Sequence, residues 1–122
     1  MQEPSLNHEI MNGIKYVRPG GGFVPSFPIT SKIEVNGENE HPLYSYLKRS
    51  CPPTQVKFAY KSYLYWEQFH ERDIRWNFEK FLIDPRTGMP WRRYDPSVEP
   101  VDLVDDVNCL LYNFCKSSQW VN

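Results

Sequence analysis

Apolar residues fall on alternate positions at Phe27, Ile29, Ile33 and Val35, the period of a half-buried β-strand. Pro28 lies inside this run and removes a ladder donor, which places the strand at a sheet edge or delays its start. Asn36-Gly37 reads as the turn that ends it. A helical pattern follows. Asn39 can cap, Pro42 sits in the first turn, and Leu43, Tyr46 and Leu47 form one face before Cys51-Pro52-Pro53 stops the helix. Residues 54–72 hold Phe58, Tyr60, Tyr63, Tyr65, Trp66 and Phe69 without a clean period. They predict a long surface-packing loop with a helical turn near 63–69. Trp76 to Ile83 predicts a strand, with Phe78 and Leu82 alternating with charged neighbours. Asp84-Pro85-Arg86-Thr87-Gly88 supplies turn chemistry, with Pro preset for the corner and Gly free to take positive φ. Met89 to Tyr94 then returns antiparallel. Finally Pro100 opens a helix carrying Leu103, Val107, Leu110, Leu111 and Phe114 at i, i+4, i+7, i+8 and i+11, with Asp102, Asp105 and Asp106 suited to its N-terminal dipole. The element order is strand, helix, long loop, β-hairpin, helix.

Composition narrows the class. A chain of 122 residues fits one domain. Its 14 Lys+Arg against 15 Asp+Glu give a net charge of −1, which leaves no excess of cations for a nucleic-acid backbone. No apolar stretch is long enough to span a bilayer. Met1-Gln2-Glu3-Pro4 lacks the basic patch and apolar run of a signal peptide. Aromatic residues at 16% supply surface worth burying, which argues against disorder. Eleven prolines, about twice the usual share, indicate many fixed corners. Three cysteines, Cys51, Cys109 and Cys115, are too few for a disulfide scaffold, and no CxxC is present.

Residues 1–22 carry little periodicity and end in Arg18-Pro19-Gly20-Gly21-Gly22. The triple glycine is no phosphate loop: it is not GxGxxG, no GK[ST] follows, and Phe23-Val24-Pro25 opens a helix poorly. A flexible or close-packed loop fits better. His8, His41 and His70 are isolated, and His70-Glu71-Arg72-Asp73 resembles a metal cluster only superficially, so no metal site is expected. Trp91 and Trp120 read as packing residues.

The run Gly13-Ile14-Lys15-Tyr16-Val17-Arg18-Pro19-Gly20-Gly21-Gly22-Phe23-Val24-Pro25 resembles a loop of the oligomeric glutathione peroxidases. Lys32-Ile33-Glu34-Val35-Asn36-Gly37, with His41-Pro42-Leu43-Tyr44 and Leu47-Lys48, is similar to that family's strand–turn–helix segment. Asp73-Ile74-Arg75-Trp76-Asn77-Phe78-Glu79-Lys80-Phe81-Leu82 is its most diagnostic run. Gly88-Met89-Pro90-Trp91-Arg92-Arg93-Tyr94 resembles the hairpin that follows. The match covers about residues 2–112, in order. It implies an α/β, thioredoxin-like fold, incomplete and lacking the N-terminal βαβ unit, so that residues 1–122 form a partial glutathione peroxidase domain. It also implies reduction of hydrogen peroxide or organic hydroperoxides, with glutathione as co-substrate and no further cofactor.

The family's catalytic group is a peroxidatic selenocysteine or cysteine surrounded by a Gln, a Trp and an Asn. Trp76 and Asn77 match the last two. An indole N–H and an amide supply donors to a thiolate or selenolate without adding a titrating charge. The peroxidatic residue and the Gln correspond to positions upstream of Met1, and Gln2 aligns just after that Gln. None of Cys51, Cys109 or Cys115 stands in the peroxidatic motif, so this polypeptide is expected to lack turnover. Arg92 and Arg93 are candidates for a glutathione carboxylate, while a solvated strand-face charge is the competing reading. Asp95-Pro96-Ser97 stands where some members carry further basic residues. A non-catalytic interaction or oligomerisation module of the same fold is the alternative function, because the Gly20–Pro25 loop and the 54–72 segment correspond to subunit contacts of oligomeric members. A homo-oligomer is expected for the full-length family. The Gly-rich loop and Ser50-Cys51-Pro52-Pro53 resemble both cytosolic and secreted members, with a lean to secreted. Without the front strands, apolar helix and hairpin faces lose their cover, which predicts loosely packed, dye-binding behaviour.

Overall fold

The structure is a computed structural model, described here over residues 6–17 and 19–113. It is a mixed assembly of helices and one antiparallel hairpin. Helix α1 spans Asn7–Tyr16, α2 Pro42–Ser50 and α3 Val104–Tyr112; strands β1 (Lys80–Ile83) and β2 (Pro90–Tyr94) form the sheet. Single 3₁₀ turns occupy Lys61–Tyr63 and Pro100–Leu103. Phe114, Cys115 and Trp120 lie outside the described residues.

Helix α1 corrects the expectation of an irregular start. Its first turn is held by the Glu9 carboxylate, which accepts from the Leu6 backbone N–H at 2.9 Å, and Lys15 sits in the last turn, where a cation suits the dipole. None of its residues is fully buried, yet Leu6, Ile10, Ile14 and Val17 fall at i, i+4, i+8 and i+11, a helical spacing that the reading of little periodicity passes over. The glycine run then turns the chain back against this helix. Gly22 N–H donates to the Lys15 carbonyl at 2.9 Å. Gly20 has φ +42°, and a Cβ there would sit 2.8 Å from the Lys15 carbonyl oxygen. The loop is therefore close-packed at Gly20.

The alternating run from Phe27 to Val35 forms no strand, a second correction. Phe27 and Ile29 are exposed, and a strand needs a neighbouring ladder that no described segment supplies. Helix α2 forms as expected and ends at Cys51. Its cap is His41 rather than Asn39: the His41 Nδ1 accepts from the Leu43 N–H at 3.2 Å. The hairpin also forms, with Lys80 opposite Tyr94, Phe81 opposite Arg93 and Leu82 opposite Arg92. Its strand β1 begins four residues later than the sequence pattern indicates. Phe78 takes φ +62°, a left-handed conformation that breaks any ladder before Lys80. The final helix starts through a 3₁₀ turn at Pro100 and closes at Asn113 in the αL conformation.

The buried apolar set is small: Leu47, Cys51, Leu64, Trp66, Ile74, Tyr94, Leu103 and Leu110. Beside it lie buried Asn36, Lys48, Asp73, Arg75 and Arg93. The centre of this molecule is thus as much a polar network as an oily core.

Candidate functional site

The polar network converges on residues 70–79, the segment that leads into β1. Asp73 is fully buried and its carboxylate is saturated with donors. Lys48 Nζ donates to Oδ1 at 3.0 Å, while the Trp66 indole and the His70 backbone N–H each donate to Oδ2 at 2.9 Å. Lys48 also pairs with Glu40 and donates to Asn36 Oδ1 at 3.2 Å. Asn36 in turn brackets the backbone of Ile74, donating to its carbonyl at 2.8 Å and accepting from its N–H at 2.9 Å. Burial pushes the Glu40 carboxyl up, but its hydrogen bonds with Lys48 and Ser45 outweigh that and leave it below the usual carboxylate value.

Two guanidinium groups hold the same segment from the other side. Arg75 folds back onto its own loop, donating to the carbonyls of Asp73 at 2.7 Å and Glu71 at 2.6 Å. Its guanidinium carbon lies 3.7 Å from the centre of the Phe58 ring. Arg93 reaches across from β2, pairs with Glu79 and donates to the carbonyls of Arg72 at 3.0 Å and Asp73 at 3.1 Å. Both the Arg93 and Glu79 side chains are about 1% exposed. Buried charges are tolerated when paired and hydrogen-bonded, as Arg93 and Glu79 are; Arg75 bonds only to backbone carbonyls, its Nε is buried without an acceptor, and burial lowers its pKa.

At the end of the clamped segment stand Trp76 and Asn77. Trp76 is 41% exposed and Asn77 half-buried. The indole lines a cavity of about 420 Å³ with Phe58, Ala59, Tyr60 and Tyr63. The left-handed Phe78 follows directly, a strained conformation for a residue that is itself exposed. The structure thus places Trp76 and Asn77 consecutively at the end of a backbone held by Asn36, Arg75 and Arg93.

The two arginines do not act together, because successive strand residues face opposite ways. Arg92 remains half-exposed and donates to Asp106 Oδ2 at 2.8 Å, tying β2 to α3. Tyr94 shares the same acceptor at 2.6 Å, and burial together with that hydrogen bond raises its phenol above the ordinary value. Arg93 is spent on the loop clamp, and the reading of it as a solvated strand-face charge is corrected. Cys51 is 1% exposed, and burial raises its thiol against the opposing effect of Arg93. Such a thiol is the opposite of an activated nucleophile. Among the described residues, no group of His, Cys, Asp and Glu is placed to hold a metal, and no helix is long and apolar enough to cross a membrane.

Sequence reasoning missed Asn36, Lys48, Asp73, Arg75 and Glu79 as the residues that position the site. The available signal was the density of opposite charges from Glu71 to Lys80 around one Trp-Asn pair, which reads equally well as a solvated loop.

Comparison with known proteins bears on the same features. The family model for glutathione peroxidase (GSHPx) matches residues 1–48. The mouse (Mus musculus) protein glutathione peroxidase 6 is 53% identical over 93 residues, covering 76% of this chain and 42% of that protein. Glutathione peroxidase 3 of Sapajus apella is also 53% identical over 93 residues, covering 76% of this chain and 41% of its own length. Mouse glutathione peroxidase 2 is 45% identical over 114 residues, with 90% of this chain and 60% of that protein covered. The chain therefore spans roughly two-fifths to three-fifths of these relatives. The crystal structure of T. cruzi GPX1 superposes with a TM-score of 0.55 at 28% identity, over 88% of this chain and 72% of that one. The α/β, thioredoxin-like fold and the relatives agree: this chain belongs to the glutathione peroxidase family, an oxidoreductase family.

Proposed function

We propose that these residues form the donor side of a peroxidatic site that reduces hydroperoxides at the expense of glutathione. The observation that carries this reading is the pair Trp76–Asn77, held on a backbone clamped by Asp73, Arg75 and Arg93 and opening onto a cavity. The indole and the amide would donate to a selenolate or thiolate, lowering its pKa and keeping it ionised. That anion attacks the outer peroxide oxygen; the O–O bond breaks, and the alkoxide takes a proton and leaves as an alcohol. The chalcogen is left as a selenenic or sulfenic acid. One glutathione thiol displaces water to give a mixed disulfide or selenosulfide, and a second releases the chalcogenolate and oxidised glutathione.

The nucleophile itself is not Cys51, whose burial and raised pKa disqualify it. Arg92, with an exposed guanidinium at the edge of β2, is the residue we assign to a glutathione carboxylate. Arg93 supports the site from beneath and is not proposed to touch glutathione. No prosthetic group is called for. An extracellular location is favoured by the slight lean of the Gly-rich loop and Ser50-Cys51-Pro52-Pro53, which resemble both cytosolic and secreted members, toward the secreted ones.

The test supplies the missing anion. Hydroperoxide consumption is followed with glutathione in excess, with and without selenocysteamine as a soluble selenolate. The chain alone is expected to give no rate above free-thiol background. With selenolate it is expected to exceed the rate of selenolate alone, and Trp76→Phe with Asn77→Ala is expected to abolish the gain. Saturable turnover without added selenolate, or no gain with it, contradicts the proposal.

A second reading, an interaction or oligomerisation module, is favoured by the exposure of Phe23, Val24 and Phe27 beside the glycine loop. Light scattering separates the two: a discrete dimer or tetramer supports an assembly surface, and a monomer or heterogeneous aggregate counts against it.

A further inference from the structure

Asn-Gly occurs at Asn12-Gly13 and at Asn36-Gly37, and the two pairs stand in opposite surroundings. The dipeptide has a chemistry of its own. The glycine nitrogen, unhindered for want of a Cβ, attacks the carbonyl carbon of the asparagine side chain. A ring-closing C–N bond forms, the bond to the side-chain nitrogen breaks, and ammonia leaves with the proton of the glycine N–H. Water then opens the cyclic imide to aspartate or isoaspartate. Nothing is oxidised or reduced, but the side chain must first swing toward the next backbone nitrogen.

On helix α1, Asn12 is exposed, and a Cβ at Gly13 would meet nothing within 4 Å. That ten-residue helix has no buried residue, and so short a helix without cover opens readily. Asn36 is 1% exposed and its side chain is fully engaged. Nδ2 donates to the Ile74 carbonyl at 2.8 Å, while Oδ1 accepts from the Ile74 N–H at 2.9 Å and from Lys48 Nζ at 3.2 Å. The Asn36 backbone N–H donates to the Tyr65 hydroxyl at 3.1 Å. Turning the side chain toward Gly37 therefore breaks its bonds to Ile74 and Lys48 together, and burial keeps out the water that opens the imide.

The product would damage the clamp itself. Aspartate at this position loses the donor to the Ile74 carbonyl and turns a carboxylate oxygen toward it. It also sets a third carboxylate beside Lys48, which already serves Asp73 and Glu40. Isoaspartate lengthens the main chain by one atom next to Gly37, where an added Cβ would already sit 2.9 Å from the Trp66 Cβ. We infer that Asn36-Gly37 is a latent deamidation site, closed while Asn36 brackets Ile74 and open once the hold on residues 70–79 is lost, so that a transient opening becomes permanent. Asn12-Gly13 is its unprotected counterpart. The inference stands apart from the peroxidatic reading and needs no turnover to test.

The 122-residue chain is incubated at mildly alkaline pH, folded and in guanidinium chloride, and tryptic peptides 1–15 and 33–48 are followed by mass spectrometry for conversion of amide to acid. In guanidinium chloride the two pairs are expected to convert at similar rates. In the folded chain Asn36 is expected to convert at least about tenfold more slowly, because a reaction of the open form scales with its population, while Asn12 keeps most of its rate. Tyr65→Phe removes the hydroxyl bonded to the Asn36 backbone at a residue 40% exposed. It is expected to speed conversion of Asn36 severalfold in the folded chain and to leave Asn12 unchanged. Asn36→Asp, the mimic of one product, is expected to unfold at lower denaturant than the wild-type chain or to lose its cooperative transition. Smaller protection of Asn36, equal protection of Asn12, conversion unmoved by Tyr65→Phe, or an unchanged midpoint for Asn36→Asp overturns the inference. The expected pattern alongside a failed selenolate assay would remove the peroxidatic reading alone.

Discussion

Residues 19–35 and residues 70–79 are both irregular segments, and they are held in opposite ways. The first carries the apolar alternation of a strand yet forms none, and it leaves Phe23, Val24, Phe27 and Ile29 exposed. The second is crowded with charges, yet Asp73, Ile74 and Arg75 are buried and its backbone is gripped from three directions by Asn36, Arg75 and Arg93. Apolar alternation is a request for a partner ladder; without one it fixes nothing. Side chains that bond to backbone carbonyls can order a loop by themselves, provided every buried charge has a partner. The site belongs to the second kind of segment, and its precision depends on that network.

The contrast is broken most severely at its centre. Asp73→Ala leaves Lys48 with Glu40 and Asn36 but strips the Trp66 indole and the His70 N–H of their acceptor, and each buried donor left unpaired costs about 1–3 kcal/mol. Urea unfolding with the wild-type chain as reference should show that loss, or no cooperative transition at all. An unchanged midpoint would mean that the network does not hold the segment.

Acid attacks the same network more gently. The Glu40 carboxyl is lowered from its ordinary 4.5 in the folded chain, so the unfolded chain binds the proton more readily. Its contribution is present above pH about 4.5 and is lost as pH falls through the lowered folded value. Stability measured between pH 6 and 3 should therefore drop toward the acid end, and Glu40→Gln should flatten part of that slope.

The smallest effect belongs to the other segment. Phe27→Ser, at an exposed residue outside any ladder, should change the unfolding free energy by no more than about 0.5 kcal/mol. The same variant should lower binding of a hydrophobic dye, because Phe27 is part of the uncovered apolar surface. A loss of several kcal/mol would show that the segment is packed after all.

Local chemistry made part of this legible. The Asp84–Gly88 corner, the strand after it and the stop at Cys51-Pro52-Pro53 follow from residues that bias their own backbone, and all three stand in the structure. Helix α1 was legible in the i, i+4, i+8, i+11 spacing of Leu6, Ile10, Ile14 and Val17, but Gly13 within it and the glycine run after it favour a loop reading. The strand at 27–35 was misread because alternation describes a face and says nothing of whether a neighbour exists. The early start assigned to β1 failed at Phe78, where a left-handed residue interrupts the alternation. Trp76 and Asn77 were visible only through family resemblance; their support was not, since Asp73, Arg75 and Glu79 look the same in sequence whether solvated or buried.

The central claim is that Trp76 and Asn77 are a donor pair poised for a chalcogen anion. It is tested most directly by ¹⁵N NMR of the Trp76 indole N–H and the Asn77 side-chain amide during titration with reduced selenocysteamine, with oxidised selenocystamine as the control and Trp76→Phe to assign the indole. The account predicts saturable downfield shifts of both signals with the selenolate and none with the diselenide. Unmoved signals, or equal movement of the indoles of Trp66 and Trp91, would contradict it.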